Sequence, residues 1–525
     1  MMISQDTMIR KNTYQNILLF LVSPCRISLT WVPGAICLLG FLATIGIYYP
    51  GQVRLDAVVA YTQAVSGIYG DWHPPIMAAT WRLMRFIVHT VSGTEGTGQG
   101  LFFLVQTSLV WSGIYLVVRS QKEKWQKLTQ NHSWLSILAI LLIAGCVCLE
   151  VIYRSRILYK DILMPACYLV AAGYLLNQPQ RHWKKWCVGF IVLFFIFFGT
   201  ALRHNAIFSA IPLLFWWLWT VTSKGAVGSN RRKVPWVLGG SLVLWFFMLG
   251  TIHFVNYSLL NCVRLYPLSE RFYADIFMLN YRSSDFVMPP NTFMNDFDGI
   301  NEDLFREQYN PEVLFINQAM RDVRLASPTP LQFTQESILI VSDEDYAKRE
   351  NYREILSVLE QQDEPCALKV VNEKQLRETF PHDYEILKKT WVECVVSHPF
   401  LYLKLKVKFF VRFLARSSVF FFAVNGISVC FILSVILCFS FSRRRFDPSV
   451  MPFLMLAWSA LFYVSPLLIF LTDDNWDNTR YLHWFFTAVF LAAFLFCIES
   501  PLFRQTYKKI IQVLEKYLKD RITQS

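Results

Sequence analysis

Roughly ten apolar runs, each near the twenty residues that a helix needs to cross a bilayer, divide this chain and restrict its fold more than anything else in it. They lie near 31–49, 99–118, 134–152, 158–176, 186–202, 206–222, 234–257, 417–441, 450–471 and 481–499. Inside lipid every backbone polar group must be satisfied internally, which leaves helices or closed barrels, and runs this long suit helices. Composition agrees: of 525 residues, 54% are hydrophobic and 16% aromatic, while only 17% are charged. The expected fold class is an all-α polytopic membrane protein with about ten transmembrane helices.

The net charge of +12 would suit a nucleic-acid partner if it formed a patch, but its placement says otherwise. The cations fall in short tracts between apolar runs: Arg119/Lys122/Lys124/Lys127, Arg181/Lys184/Lys185, Arg231/Arg232/Lys233 and Arg443/Arg444/Arg445. With both termini in the cytoplasm, every one of these tracts falls on the cytoplasmic side, as the positive-inside rule requires. No basic stretch is interleaved with stacking aromatics, so no nucleic acid is expected. Arg10, Lys11 and Arg26 precede an apolar run that continues into the first span, so no cleavable signal is read there.

Four regions follow: an N-terminal membrane domain over 1–257, a polar domain over 258–416, C-terminal transmembrane helices over 417–500, and a basic amphipathic cytoplasmic tail over 501–525. Within the first, Ile76–Val91 carries Arg82, Arg85 and His89 at offsets of three and four, which predicts a helix lying in the interface rather than spanning it. The 258–416 region is expected to be mostly helical and extracytoplasmic, with helices over Asp343–Gln361 and Glu373–Ser397 and a new helix starting at Pro399. No internal repeat is present. The 12 cysteines lie mostly inside apolar runs; Cys262, Cys366 and Cys394 fall in the polar region, where one disulfide could form and the pairing stays open.

The unusual residues collect on the outer side. The first loop holds Asp56, Asp71 and His73; "YRSRILYKD" holds Arg154, Arg156, Lys160 and Asp161; "LRHN" holds Arg203, His204 and Asn205; "TDDNWDNTRY" ends on Arg480 and Tyr481. Singly, each has a plain reading: Asp56 or Asp71 as a helix cap, His73 as a turn residue, Arg154/Arg156/Lys160 as lipid-headgroup contacts. Together they place cations against the positive-inside rule on one face. Cations beside carboxylates at an interface suit an anionic ligand, a phosphate above all, that also needs acid–base or metal help.

These residues carry a resemblance. "DAVVAYTQAVSGIYGDWHPP" from Asp56, with the amphipathic helix after it and "YKD" opening a later span, resembles the GT-C superfamily of membrane glycosyltransferases, the protein O-mannosyltransferase and aminoarabinose transferase type. "RHN" before a span, Arg480-Tyr481 opening the last span and "TWVECVVSHPFLYL" are similar to bacterial members. The likeness covers about 30–222 and 385–500. It departs from the pattern at Asp56-Ala57, where an Asp-Glu pair is common, and at His73-Pro74-Pro75, where Lys-Pro-Pro is usual.

The resemblance implies a GT-C-like fold in the bacterial inner membrane. It also implies inverting transfer of a sugar from a polyprenyl-phosphate donor to an envelope acceptor (lipid A, surface polysaccharide or protein) on the outer face. Asp56 is then the general base, and Asp161 a second catalytic carboxylate that orients the acceptor or holds a divalent cation. Phosphate and substrate contacts fall to Arg203 and Arg480, with Arg154, Arg156, Lys160, Asp71, His73, His204, Asn205 and Tyr481 as further candidates. A divalent cation is compatible with this pattern, as in some relatives, but the sequence does not require one, and no other cofactor is implied. Two other readings stay open: a lipid-linked oligosaccharide polymerase or ligase, and a transporter or flippase of an anionic lipid. The missing repeat weighs against the last.

Overall fold

A computed structural model describes residues 31–53, 55–71, 73–93, 96–122, 148–179, 182–222, 234–264, 336–341, 367–372, 391–393, 395–416, 451–466 and 483–499, with isolated positions between and beyond these segments. The described residues are mostly helical. Helices α1 (Val32–Tyr48), α2 (Leu55–Ser66), α3 (Ile76–Ser92) and α4 (Gln99–Ser120) are followed by α5 (Lys160–Leu176), α6 (His182–Ala201), α7 (Ala206–Thr222) and α8 (Val234–Phe254). The last of these runs into a π-turn over Val255–Leu259. Helices α9 (Pro399–Arg416), α10 (Met451–Val464) and α11 (His483–Glu499) complete the set.

Helices therefore occupy eight of the ten expected places, and 417–441 and most of 134–152 lie outside the described residues. Three described helices are long and apolar enough to cross a membrane: Gln99–Ser120, Trp183–Ala201 and Val234–Leu259. Val32–Tyr48, Ala206–Thr222 and Met451–Val464 are shorter apolar helices. Proline opens α1 at its first turn, where a missing N–H costs nothing. Pro165 and Pro212 sit inside α5 and α7.

The bundle grows by neighbour contacts: α4 packs on α1 and α5, α5 on α6, α6 on α7, and α7 on α8 and α10, while α11 closes against α10 and α5. A polar ladder stitches its middle. Tyr168 Oη meets Thr200 Oγ1 at 2.8 Å, Trp484 Nε1 donates to Ser459 Oγ at 3.0 Å, and Ser459 Oγ donates to the Ser209 carbonyl at 2.8 Å. Hydrogen bonds of this kind between apolar helices fix their register where burial alone could not. Outside the bundle the helices expose large apolar groups, Trp236 at 82% and Phe247 at 75% on α8 among them.

The helix α3 is amphipathic as its spacing predicts: Met77, Ala78 and Trp81 are buried, while Leu83, Phe86, Ile87 and Val91 are exposed. Gly93 ends it in the left-handed region at φ 67°, a conformation that glycine adopts without strain.

Two short parallel pairings position the rest. Strand β1 (Gln52–Val53) pairs with β2 (Ile157–Leu158) in the register Gln52↔Ile157 and Val53↔Leu158. In the polar region β3 (Glu336–Val341) pairs with β4 (Ala367–Asn372), and β3 runs alongside α2. The pair adds strands where helices are expected to predominate: "ESILIV" and "ALKVVN" are rich in β-branched residues, which pack well on a pleated surface. The expected helix starting at Pro399 is present as α9. The helices expected over Asp343–Gln361 and most of Glu373–Ser397, and nearly all of the 501–525 tail, lie outside the described residues.

Candidate functional site

The β1–β2 pairing sets two helix starts side by side. Three residues beyond Val53 comes Asp56, the second residue of α2; three beyond Leu158 comes Asp161, the second residue of α5. Two carboxylate residues thus sit at matched register past the paired strands, each in the first turn of a helix, where the positive helix end favours negative charge. Glutamines of α4 hold both loops. Gln99 Nε2 donates to the Gly51 carbonyl at 2.8 Å, Gln106 Nε2 donates to the Ile157 carbonyl at 2.8 Å, and Gln106 Oε1 accepts from the Tyr159 amide at 3.2 Å. Gly51 adopts φ 93°, and a Cβ there would meet the Phe103 ring at 2.6 Å, so only glycine fits the turn into β1.

Two loops, one through Asp71 and His73 and one between α6 and α7, meet at the start of α5. Asp161, 1% exposed, pairs with Arg203 of the α6–α7 loop, 6% exposed. Neighbouring Lys160, also 6% exposed, donates from Nζ to His73 Nδ1 at 2.5 Å. His204 Nε2 meets the Asp71 carbonyl at 3.2 Å. A carbonyl only accepts, so Nε2 carries the proton and Nδ1 is the basic nitrogen.

The Asp71 segment is held from another side by the end of the α8 run. Tyr257 Oη donates to Asp71 Oδ2 at 2.7 Å, the Asp71 amide donates to the Val263 carbonyl at 3.1 Å, and the Val263 amide donates to the Tyr69 carbonyl at 2.7 Å. The Arg264 guanidinium stands 4.8 Å from the Tyr257 ring centre.

The charges at this site balance in a dense setting. His204 keeps over a third of its surface open, although protein atoms crowd its ring. Those surroundings lower its pKa to about 4, and the Lys160 and Arg203 cations push the same way against the Asp71 carbonyl. It is neutral near pH 7. Asn205 is 8% exposed, and among the described residues its Nδ2 meets no hydrogen-bond acceptor.

The remaining expected residues fall elsewhere. Arg154 pairs with Glu150 one turn back at 2.5 Å, and Arg156 stacks 3.7 Å over Tyr153 and donates to its hydroxyl, so both are engaged locally rather than at Lys160. The backbone of Asp56 is placed by α2, and its side chain lies outside the described residues, as do Arg480 and Tyr481. Among the described residues no group of three or more His, Cys, Asp or Glu side chains is arranged to hold a metal ion. Cys262 is buried, while Cys366 and Cys394 lie outside the described residues.

Gln99, Gln106 and Tyr257 were not singled out by charge or motif. Their signal is weaker: polar side chains within or at the end of long apolar runs.

A second buried pair lies apart from this cluster. Lys406 of α9 meets Asp275 at 2.5 Å, both 4% exposed, and Trp391 and Tyr402 donate to the same carboxylate at 3.1 and 3.3 Å. Burial pushes the Asp275 carboxyl up, and Lys406 first among its partners holds it down.

No family model, no curated protein and no solved structure matches this chain.

Proposed function

We propose that the chain is an integral membrane glycosyltransferase of the bacterial inner membrane. It moves a sugar from a polyprenyl-phosphate carrier to an envelope acceptor on the outer face. The observation that carries the reading is the matched placement of Asp56 and Asp161 at two neighbouring helix starts, with Lys160, His73, Arg203 and His204 gathered around the second. Apolar helices that expose tryptophan and phenylalanine support the membrane setting.

In this scheme Asp56 takes the proton of an acceptor hydroxyl or amine as its oxygen or nitrogen attacks the anomeric carbon. The bond from that carbon to the phosphate oxygen breaks, and polyprenyl phosphate leaves with the electron pair. The leaving group is already good, so the protein's main task is to stabilise its growing negative charge. Lys160, buried beside His73, and Arg203, paired with Asp161, are the cations placed for that task. Asp161, held by Arg203, orients the acceptor or a divalent ion. Strand β3 beside α2 fits a polar domain that covers the site and contributes to acceptor choice.

The test is turnover by purified protein in nanodiscs supplied with a panel of polyprenyl-phosphate sugars and an envelope extract. Release of polyprenyl phosphate that vanishes in Asp56→Asn supports the transferase. Release that survives Asp56→Asn points to a polymerase or ligase built on arginine and histidine, and carrier movement without release points to a flippase.

A further inference from the structure

A second cationic feature lies on α3, away from the residues assigned above. Arg82, Arg85 and His89 line a groove of about 190 Å³ with Ala64 and Val65 of α2, Phe86 and Gly96. None of these lining residues is acidic. The Arg85 guanidinium stands 5.6 Å from the Tyr61 ring centre, which holds it on the groove's inner wall. Arg82 lies against Gly67, in the left-handed region at φ 74° just past the end of α2, where any Cβ would strike the guanidinium.

Three stripes run along this one helix. Met77, Ala78 and Trp81 face the body, Leu83, Phe86, Ile87 and Val91 are exposed, and the three basic groups lie at offsets of three and four between them. An interfacial helix with its apolar stripe in the acyl region puts its basic stripe at headgroup depth. The groove is smaller than a site for a drug-sized ligand and suits a headgroup fragment.

From this we infer that the α2–α3 groove binds the phosphodiester headgroup of an anionic phospholipid of the surrounding bilayer, with Phe86 beside its chain. The inference rests on the membrane setting and not on glycosyl transfer. Arginine forks fit phosphate oxygens two at a time, and His89 adds a donor at the open end.

The experiment is binding of phosphatidylglycerol and phosphatidylcholine to the full chain in detergent, read by native mass spectrometry and by thermal shift. Wild type should retain phosphatidylglycerol over phosphatidylcholine. At about 1 kcal/mol for each basic residue near the surface, Arg82→Gln and Arg85→Gln should each weaken phosphatidylglycerol about fivefold, and the pair about 25-fold. His89→Gln, at an exposed position, should weaken it in the same direction without lowering the melting temperature in lipid-free detergent. Equal retention of the two lipids by wild type overturns the inference without reference to any variant. So does unchanged binding in the double variant, or full displacement of phosphatidylglycerol by millimolar inorganic phosphate, which would mark a site for a soluble anion.

Discussion

Asp161→Asn should destabilise the protein strongly, because it leaves a cation stranded. Asp161 and Arg203 are 1% and 6% exposed, and they pair with each other across the start of α5 and the α6–α7 loop. Removing one member of a buried pair costs about 3–5 kcal/mol, most of it the penalty of an uncompensated charge. At about 2–4 °C per kcal/mol for a domain of 150–250 residues, that is a fall of about 6–20 °C in melting temperature. The chain's 17 tryptophans make intrinsic fluorescence in detergent a sufficient assay. The double variant Asp161→Asn/Arg203→Gln carries no stranded charge and should recover at least half of the loss. Its turnover should not recover, because Asp161 also serves the acceptor. A single variant that melts within about 2 °C of wild type, or a double variant no more stable than the single, refutes the reasoning.

Other expectations follow from the same geometry. The pKa of His204 falls from 6.5 to about 4 on folding, so the unfolded chain takes up the proton first and stability declines as pH drops from 6.5 toward 4. His204→Gln should flatten that part of the melting-temperature profile, and an unchanged profile would show that another group carries it. Gly67→Ala should lower the melting temperature, since φ is 74° and the new Cβ meets Arg82, whereas Gly46→Ala, with nothing within 4 Å, should be neutral or slightly stabilising. Lys406→Met should cost about 3–5 kcal/mol by stranding Asp275, and an Asp275→Asn/Lys406→Met pair should regain most of it in the same melting assay.

What could be read from sequence was what local pattern encodes. Runs of apolar residues located the helices α1, α4 to α8, α10 and α11, and offsets of three and four along Ile76–Val91 identified α3 as an amphipathic helix. Cations out of place for a membrane topology pointed to Lys160, Arg203 and His73, which the fold does bring together with their neighbours Asp161, His204 and Asp71. Partner choice was not legible. Arg203 meets Asp161 across 42 positions, and Tyr257 meets Asp71 across 186, so no local window contains either pair. Arg154 and Arg156 are cations close together in sequence, yet Glu150 and Tyr153, three or four residues back, engage them. Strands β3 and β4 escaped because each is six residues long, too short for a periodicity argument to separate from a helix. Gln99 and Gln106 carry no charge, so only their burial inside α4 reveals that they anchor both loops.

Mass spectrometry of lipid-linked sugars, in cells lacking the protein and complemented with wild type or Asp56→Asn, tests the central claim most directly. The account predicts that one polyprenyl-phosphate sugar accumulates in the null strain and in the Asp56→Asn strain and returns to its normal level with wild type. A lipid-linked pool that is the same in all three strains, with unchanged envelope glycans, would contradict it.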